Sequence, residues 1–199
     1  MRLSEDIESD LSTAESVLKK SHERLGYTRT LIESLKDKSV VESEPNQFVN
    51  AMSQSSSRMS FRSNGFTFLE LQTNGDLNLI PQLVRRSLFE YHEMNNRLNQ
   101  FESYAVMAQT EALRRFAGIL LPDQLANDGI NTNIAELDIK AEYSVEEALG
   151  VYSRFLAEDD AINWLNVMTT AHITNIGRTQ RIMLAGQKVQ NLLLGINKE

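Results

Sequence analysis

From Ile7 to Leu35 the apolar or small residues Ile7, Leu11, Ala14, Leu18, Ser21, Leu25, Thr28, Ile32 and Leu35 recur at alternating spacings of four and three. Such a pattern puts one narrow apolar stripe on an α-helix and predicts a long helix over residues 3–38. Glu5, Glu8, Asp10 and Glu15 crowd its first half and Lys36 and Lys38 its end, the polarity that the helix dipole favours. A second stripe runs through Val84, Leu88, Tyr91, Leu98, Phe101, Ala105, Ala108, Ala112, Phe116 and Ile119, with Asn95 as its polar interruption. It predicts a helix over 82–120, opened by Pro81 and stopped by Pro122. A third, through Leu165, Met168, His172, Ile176, Thr179, Met183, Gly186, Val189, Leu193 and Ile196, predicts a helix over 160–195 capped by Asp159 or Asp160. Three narrow stripes of similar length are best buried on one another. The expected fold is therefore all-α, an elongated up-and-down bundle of three long helices plus shorter ones, in one domain over 1–199.

Between the long elements the pattern breaks. Ser43 and Pro45 suit the first turn of a short helix over 44–53, and Ser55, Ser56 and Ser57 read as a loop. A second short helix fits 65–73, with Phe66, Phe68 and Leu69 on its buried side and Asn74-Gly75 as a left-handed stop. Residues 76–80 form an apolar connector. Residues 122–143, with Asp128-Gly129 and several Asn, predict a long irregular connection of the kind that is often functional or mobile. Ser144 and Glu147, three apart, form a capping box for a helix over 145–157.

Composition narrows the function classes. The chain has 199 residues, 41% of them hydrophobic, enough for a proper core. Twenty Lys and Arg stand against 27 Asp and Glu, a net charge of −7 with no long basic run, which argues against a nucleic-acid partner or an anionic membrane surface. Without cysteine there is no disulfide, thiolate chemistry or Cys-based metal site. No apolar run approaches the roughly 18 residues of a membrane span, and no secretion signal opens the chain, so it reads as soluble.

Helical bundles often hold metals through a Glu-x-x-His pattern. Here Lys19, Phe89 and Thr169 precede His22, His92 and His172 by three, so that pattern is missing. His172 lies on the third stripe as a core histidine, and His22 and His92 flank theirs as surface or boundary residues. No Gly-x-Ser-x-Gly elbow, Gly-Lys-Ser/Thr loop or Gly-x-Gly-x-x-Gly occurs. Glu5-Asp6, Glu146-Glu147 and Asp159-Asp160 fall at helix starts, where capping accounts for them. The methionines and Trp164 read as core or seam filler. No catalytic residue, cofactor or metal ligand is expected. Arg85, Arg86, Arg114, Arg115, Arg178 and Arg181 either pair with the acidic first helix or receive an anionic ligand.

Phe68, Leu71, Gly75, Leu77, Leu79, Ile80, Leu83, Arg85, Leu88 and Tyr91 form an aromatic-x-x-Leu turn, a Gly-Asp-Leu-x-Leu-Ile connector and the opening of a helix. This arrangement, with the segment from Leu3 to Leu11, resembles a bacterial membrane-anchored family of unassigned activity, over residues 3–105. Pro81 departs from the polar residue usual there. The resemblance implies an inner-membrane helix just before Met1 and an extracytoplasmic helical domain; it transfers no functional residues. The resulting expectation is a non-catalytic module acting through a protein partner or as a homo-oligomer, through a coiled-coil-like seam of Ile7, Leu11, Leu18 and Leu25. The alternative is an extracytoplasmic ligand-sensing bundle using the 122–143 loop and the arginines.

Overall fold

A computed structural model describes residues 2–57, 60–116, 118–120 and 142–196, with side chains placed for all of these except 99–105, 108 and 196. Every regular element among them is helical: α1 (Arg2–Ser34), α2 (Ser39–Ser43), α3 (Pro45–Gln54), α4 (Phe66–Thr73), a 3-10 turn (Asp76–Leu79), α5 (Gln82–Phe116), α6 (Val145–Leu156) and α7 (Ala161–Ile196). The all-α class and the three long helices agree with the stripes. The predicted 122–143 connection lies outside the described residues apart from Glu142 and Tyr143.

Local chemistry sets the ends. α1 stops at Ser34 rather than at Lys38, because the Tyr152 hydroxyl donates to the Ser34 carbonyl at 3.1 Å, occupying an acceptor the last turn leaves open. The Asp37 carboxylate then receives the Ser39 N–H at 2.9 Å and turns the chain into α2, which the stripe pattern did not predict. Pro45 occupies the first turn of α3. Gly75, at φ 78°, supplies the left-handed stop after α4, and the Pro81 carbonyl accepts the Arg85 N–H at 3.0 Å to open α5. α5 ends at Phe116, short of the predicted 120, in a tight turn closed by the Ile119 N–H on the Phe116 carbonyl at 3.0 Å. The capping box before α6 is complete: the Glu147 N–H donates to Ser144 Oγ at 3.2 Å, and the Ser144 N–H to Glu147 Oε2 at 2.8 Å. Ser144→Ala should lower the unfolding free energy by about 1 kcal/mol in a urea titration, while a polar change at exposed Ser43 should leave it unmoved.

Contacts gather into two compact units, and each long helix contributes to both. One comprises 1–20, 59–103 and 174–199, the other 21–58 and 104–173. In the first unit Leu3 and Ile7 of α1, Val84, Leu88 and Tyr91 of α5, and Ile182, Val189 and Leu193 of α7 form one core, closed by Phe68 and Leu77. Side chains of α1 and α5 crowd Gly186, where an added Cβ would stand 3.0 Å from Leu11 Cδ2 and 3.4 Å from Tyr91 Cε2. Any larger residue there would require the Leu11 side chain to shift.

In the second unit Leu31, Val41, Phe48, Phe116, Val151, Phe155 and Leu165 share another core, again with α1, α5 and α7 represented. His172 is buried there with Nε2 2.8 Å from the Ser55 carbonyl, the core histidine that its place on the stripe predicts. His22 is exposed, also as expected.

Candidate functional site

The first unit buries a carboxylate, Asp10, which is only 3% exposed. Asp10 Oδ1 accepts the Asn64 N–H at 2.7 Å, and Oδ2 accepts the Tyr91 hydroxyl at 2.8 Å and the Ser63 hydroxyl. One turn earlier on α1, Asp6 accepts the Thr67 N–H at 3.3 Å. Thr67 lies in the first turn of α4, where Gly65 has no side chain to cap the helix. Two carboxylates of α1 therefore fix the segment leading into α4 and take part of the capping role that Gly65 leaves vacant. The first-half acidity of α1 was expected to complement its own dipole; at Asp6 and Asp10 it serves a neighbouring element.

Burial pushes the Tyr91 hydroxyl well above its ordinary range, and the negative charge of Asp10 adds to the shift. The folded state thus holds the tyrosine proton more tightly than the unfolded chain. Once pH rises past about 10 the unfolded chain binds fewer protons than the native one, so stability falls from there toward the raised native value. Unfolding titrations should show that loss, and Tyr91→Phe should remove its share.

His92, next on α5, is half-buried, and burial lowers its pKa against an opposing pull from Asp10, so its neutral form is favoured. Its ring stacks on Phe68 with centroids 3.8 Å apart and planes at 18°, and Phe68 meets Phe89 edge-on at 5.4 Å. A Cβ on Gly65 would lie 3.1 Å from His92 Cε1, so the missing side chain makes room for the imidazole. Asn95, one turn further on, is 5% exposed, and its side chain acts on the Tyr91 hydroxyl, opposing the rise that burial imposes on that group. Phe66, Phe68, Leu69, His92 and Asn95, with Arg62, line a groove of about 650 Å³.

The buried side of α4 corrects the sequence expectation. Phe68 faces inward at 5% exposure, but Phe66 and Leu69 stand out at 71% and 58%. The eight residues of α4 carry apolar side chains around much of their circumference, and stacking against His92 selects Phe68. Leu79 at 82% and Leu83 at 61% extend the exposed apolar stretch through the connector. The proposed α1 seam instead turns inward: Ile7 and Leu25 are buried, and Leu11 and Leu18 half-buried.

The six candidate arginines divide between the units. Arg85 donates to Asn78 Oδ1 at 2.8 Å and Arg86 pairs with Glu90 at 3.1 Å. In the other unit Arg114 and Arg115 pair with Glu111 at 3.7 and 3.1 Å, and Arg115 also reaches Glu158 at 3.3 Å and lies over the Trp164 ring. These partners lie in the 3-10 turn, on α5 and after α6, not on α1; the pairs with Glu90 and Glu111 form because residues one turn apart on the same helix meet without a second element to position them. Arg178 and Arg181 face a second cleft in the first unit, also about 650 Å³, lined in addition by Arg97, Glu90 and Glu93. Glu90 carries a carboxylate pKa lowered by its hydrogen bond to Lys188 and then by Arg86.

Among the described residues no three His, Asp or Glu side chains are grouped to hold a metal ion, and no helix is long and apolar enough to cross a membrane. The fold and site define an all-α protein whose polar core and exposed apolar stretch share one unit. Comparison with family models, with characterised proteins and with solved structures found no match to this chain.

Proposed function

We propose that the chain is a non-catalytic helical module that works by binding another protein through the first unit, at the exposed stretch from Phe66 to Leu83. One observation carries the reading: four large apolar side chains, Phe66, Leu69, Leu79 and Leu83, are each more than half exposed within that stretch. Isolated exposed leucines are ordinary, but several together on ordered helical elements are typical of a surface that a partner covers. Their scaffold supports the reading too, since Asp6 and Asp10 hold the start of α4 in place and so preorganise the surface. The resemblance over 3–105 fits such a module tethered at a bacterial inner membrane, with the domain on the extracytoplasmic side.

The test is the native size of the full-length protein in extracts of its own cells. Wild type should migrate in an assembly larger than one chain, and Leu79→Ser with Leu83→Ser should release it without lowering its melting temperature. Release with equal loss of stability, or an unchanged assembly, contradicts the proposal. Assembly with itself alone would show as a mass that is a multiple of the chain's own.

A second reading, a ligand-sensing bundle, is favoured by the α5–α7 cleft, where Arg97, Arg178 and Arg181 present guanidinium groups beside Glu90 and Glu93. Dicarboxylates and phosphate esters should then raise the melting temperature in wild type and fail to do so in Arg181→Ala; no shift with any anion sinks this reading.

A further inference from the structure

We infer that the Asn64-Gly65 peptide is a modification site: in the folded chain Asn64 closes to a succinimide and reopens as isoaspartate, which unfastens the start of α4. The inference stands apart from the proposed function, since it needs no partner. Asn-Gly is the dipeptide in which this chemistry is least hindered, because the attacking nitrogen belongs to a residue without a side chain. The sequence has two, Asn64-Gly65 and Asn74-Gly75, and they bracket α4. Both asparagines are exposed, so sequence and exposure alone do not separate them.

The backbone does. Asn74 ends α4 at φ −80° and ψ −8°; its N–H donates to the Glu70 carbonyl at 3.0 Å and the Gly75 N–H to the Gln72 carbonyl at 3.4 Å. Ring closure takes the Gly75 nitrogen out of that bond and Asn74 out of its helical ψ, so the end of α4 must unwind first. Asn64 stands outside any helix, and the Gly65 N–H has no hydrogen-bond partner among the described residues. The bond that Asn64 does make, from its own N–H to Asp10 at 2.7 Å, lies outside the ring that forms. It holds the residue while leaving the attacking nitrogen unengaged.

The net reaction exchanges ammonia for water. The Gly65 nitrogen attacks Asn64 Cγ, a C–N bond forms, the carboxamide C–N bond breaks, and ammonia leaves with the Gly65 proton. Water then opens the imide, at Cγ to give aspartate or at the main-chain carbonyl to give isoaspartate, whose backbone runs through Cβ and is one carbon longer. Either product adds a carboxylate beside the buried Asp10, and like charges at close range repel. The longer backbone also displaces Gly65, which already lies so close to His92 that a Cβ would stand 3.1 Å from Cε1. With Gly65 moves the Thr67 N–H that Asp6 accepts. The start of α4 loses both of its fastenings to α1, and the surface of Phe66 and Leu69 goes with it.

The experiment holds the intact chain in mildly alkaline buffer at physiological temperature, digests samples with an acid protease, and follows residues 64 and 74 by tandem mass spectrometry. Residue 64 should convert several-fold faster than residue 74 in the folded chain, and the two rates should become alike in urea. Asn64→Gln keeps the N–H that Asp10 accepts but would have to close a larger ring, so it should stay unmodified there. Hydrogen exchange of aged wild type should show the Leu69 amide, which donates to the Gly65 carbonyl, less protected than in fresh protein, with Val189 of α7 unchanged. Aged Asn64→Gln should match its fresh form. Conversion of residue 64 no faster than that of residue 74 in the folded chain, an unconverted Asn64 under conditions that convert the urea-unfolded chain, or isoaspartate at 64 with undiminished Leu69 protection would each overturn the inference.

Discussion

Asp10→Ala should lower the unfolding free energy by about 3 kcal/mol, since it strips the acceptor from a buried tyrosine hydroxyl and from the segment that enters α4. Part of the loss is offset because a carboxylate no longer has to be kept out of water. Ser63 and Asn64 are accessible enough to find water, so most of the penalty falls on Tyr91, which is 1% exposed. Combining Asp10→Ala with Tyr91→Phe should therefore cost less than the two separately, with a coupling of about 1–2 kcal/mol. Asp10→Asn keeps one acceptor oxygen and should cost less than Asp10→Ala. Urea titrations of these four variants beside wild type measure all of this. If Asp10→Ala were neutral, the polar cluster would not hold α4, and the preorganised surface would lose its basis. The change should also shift the His92 imidazole signal, since that ring senses the Asp10 charge and stacks on α4.

Phe48→Ala should cost about 3–5 kcal/mol, the cavity-forming loss of a fully buried aromatic. Phe48 meets the Tyr152 ring edge-on at 5.9 Å and the Phe155 ring at 6.4 Å, so truncation removes two aromatic contacts as well as the ring's own burial. It also loosens α6, whose Tyr152 caps the end of α1 through the Ser34 carbonyl. The residue belongs to the second unit, so the groove-lining signals of His92 and Asn95 should keep their positions in the folded fraction. A loss under 1 kcal/mol would mean that α3 does not pack as described.

The stripes made the long helices legible because each buries a narrow face on two others, and a buried face imposes its period on the sequence. Yet the first stripe was placed one residue off over part of its length. Leu3, Ile7, Asp10, Ala14, Val17 and Ser21 are all buried at spacings of four and three, whereas Leu11 and Leu18 are only half-buried. Hydropathy favours leucine over aspartate at neighbouring positions, so a buried acid inside a stripe is passed over unless its donors are known. Those donors, on Ser63, Asn64 and Tyr91, lie more than fifty residues away. The signal in the sequence was Asp10 falling three after Ile7 and four before Ala14. Asn95 was visible as an interruption of its stripe, but its place beside the Tyr91 hydroxyl depends on three-dimensional packing.

The capping box at Ser144, the glycine stop at Gly75 and the core position of His172 were readable because each rests on local chemistry or on a long, regular stripe. α4 was not. A helix of eight residues with phenylalanine at 66 and 68 has too short a period to declare its inner face, and the decision falls to His92 and the two carboxylates of α1. The arginines were equally ambiguous, since their glutamate partners one turn away leave the same pattern as a surface awaiting an anion.

Site-specific photo-crosslinking tests the central claim most directly. A photoreactive residue replaces Phe66 or Leu79 in the first unit, or, as controls that are also more than half exposed, Leu156 or Ile173 in the second, in the full-length protein within its own cells. Irradiation should give a discrete protein adduct at Phe66 and Leu79 and none at Leu156 or Ile173. Adducts at the controls alone, equal adducts at all four positions, or none at Phe66 and Leu79 would contradict the assignment of this surface to a protein partner.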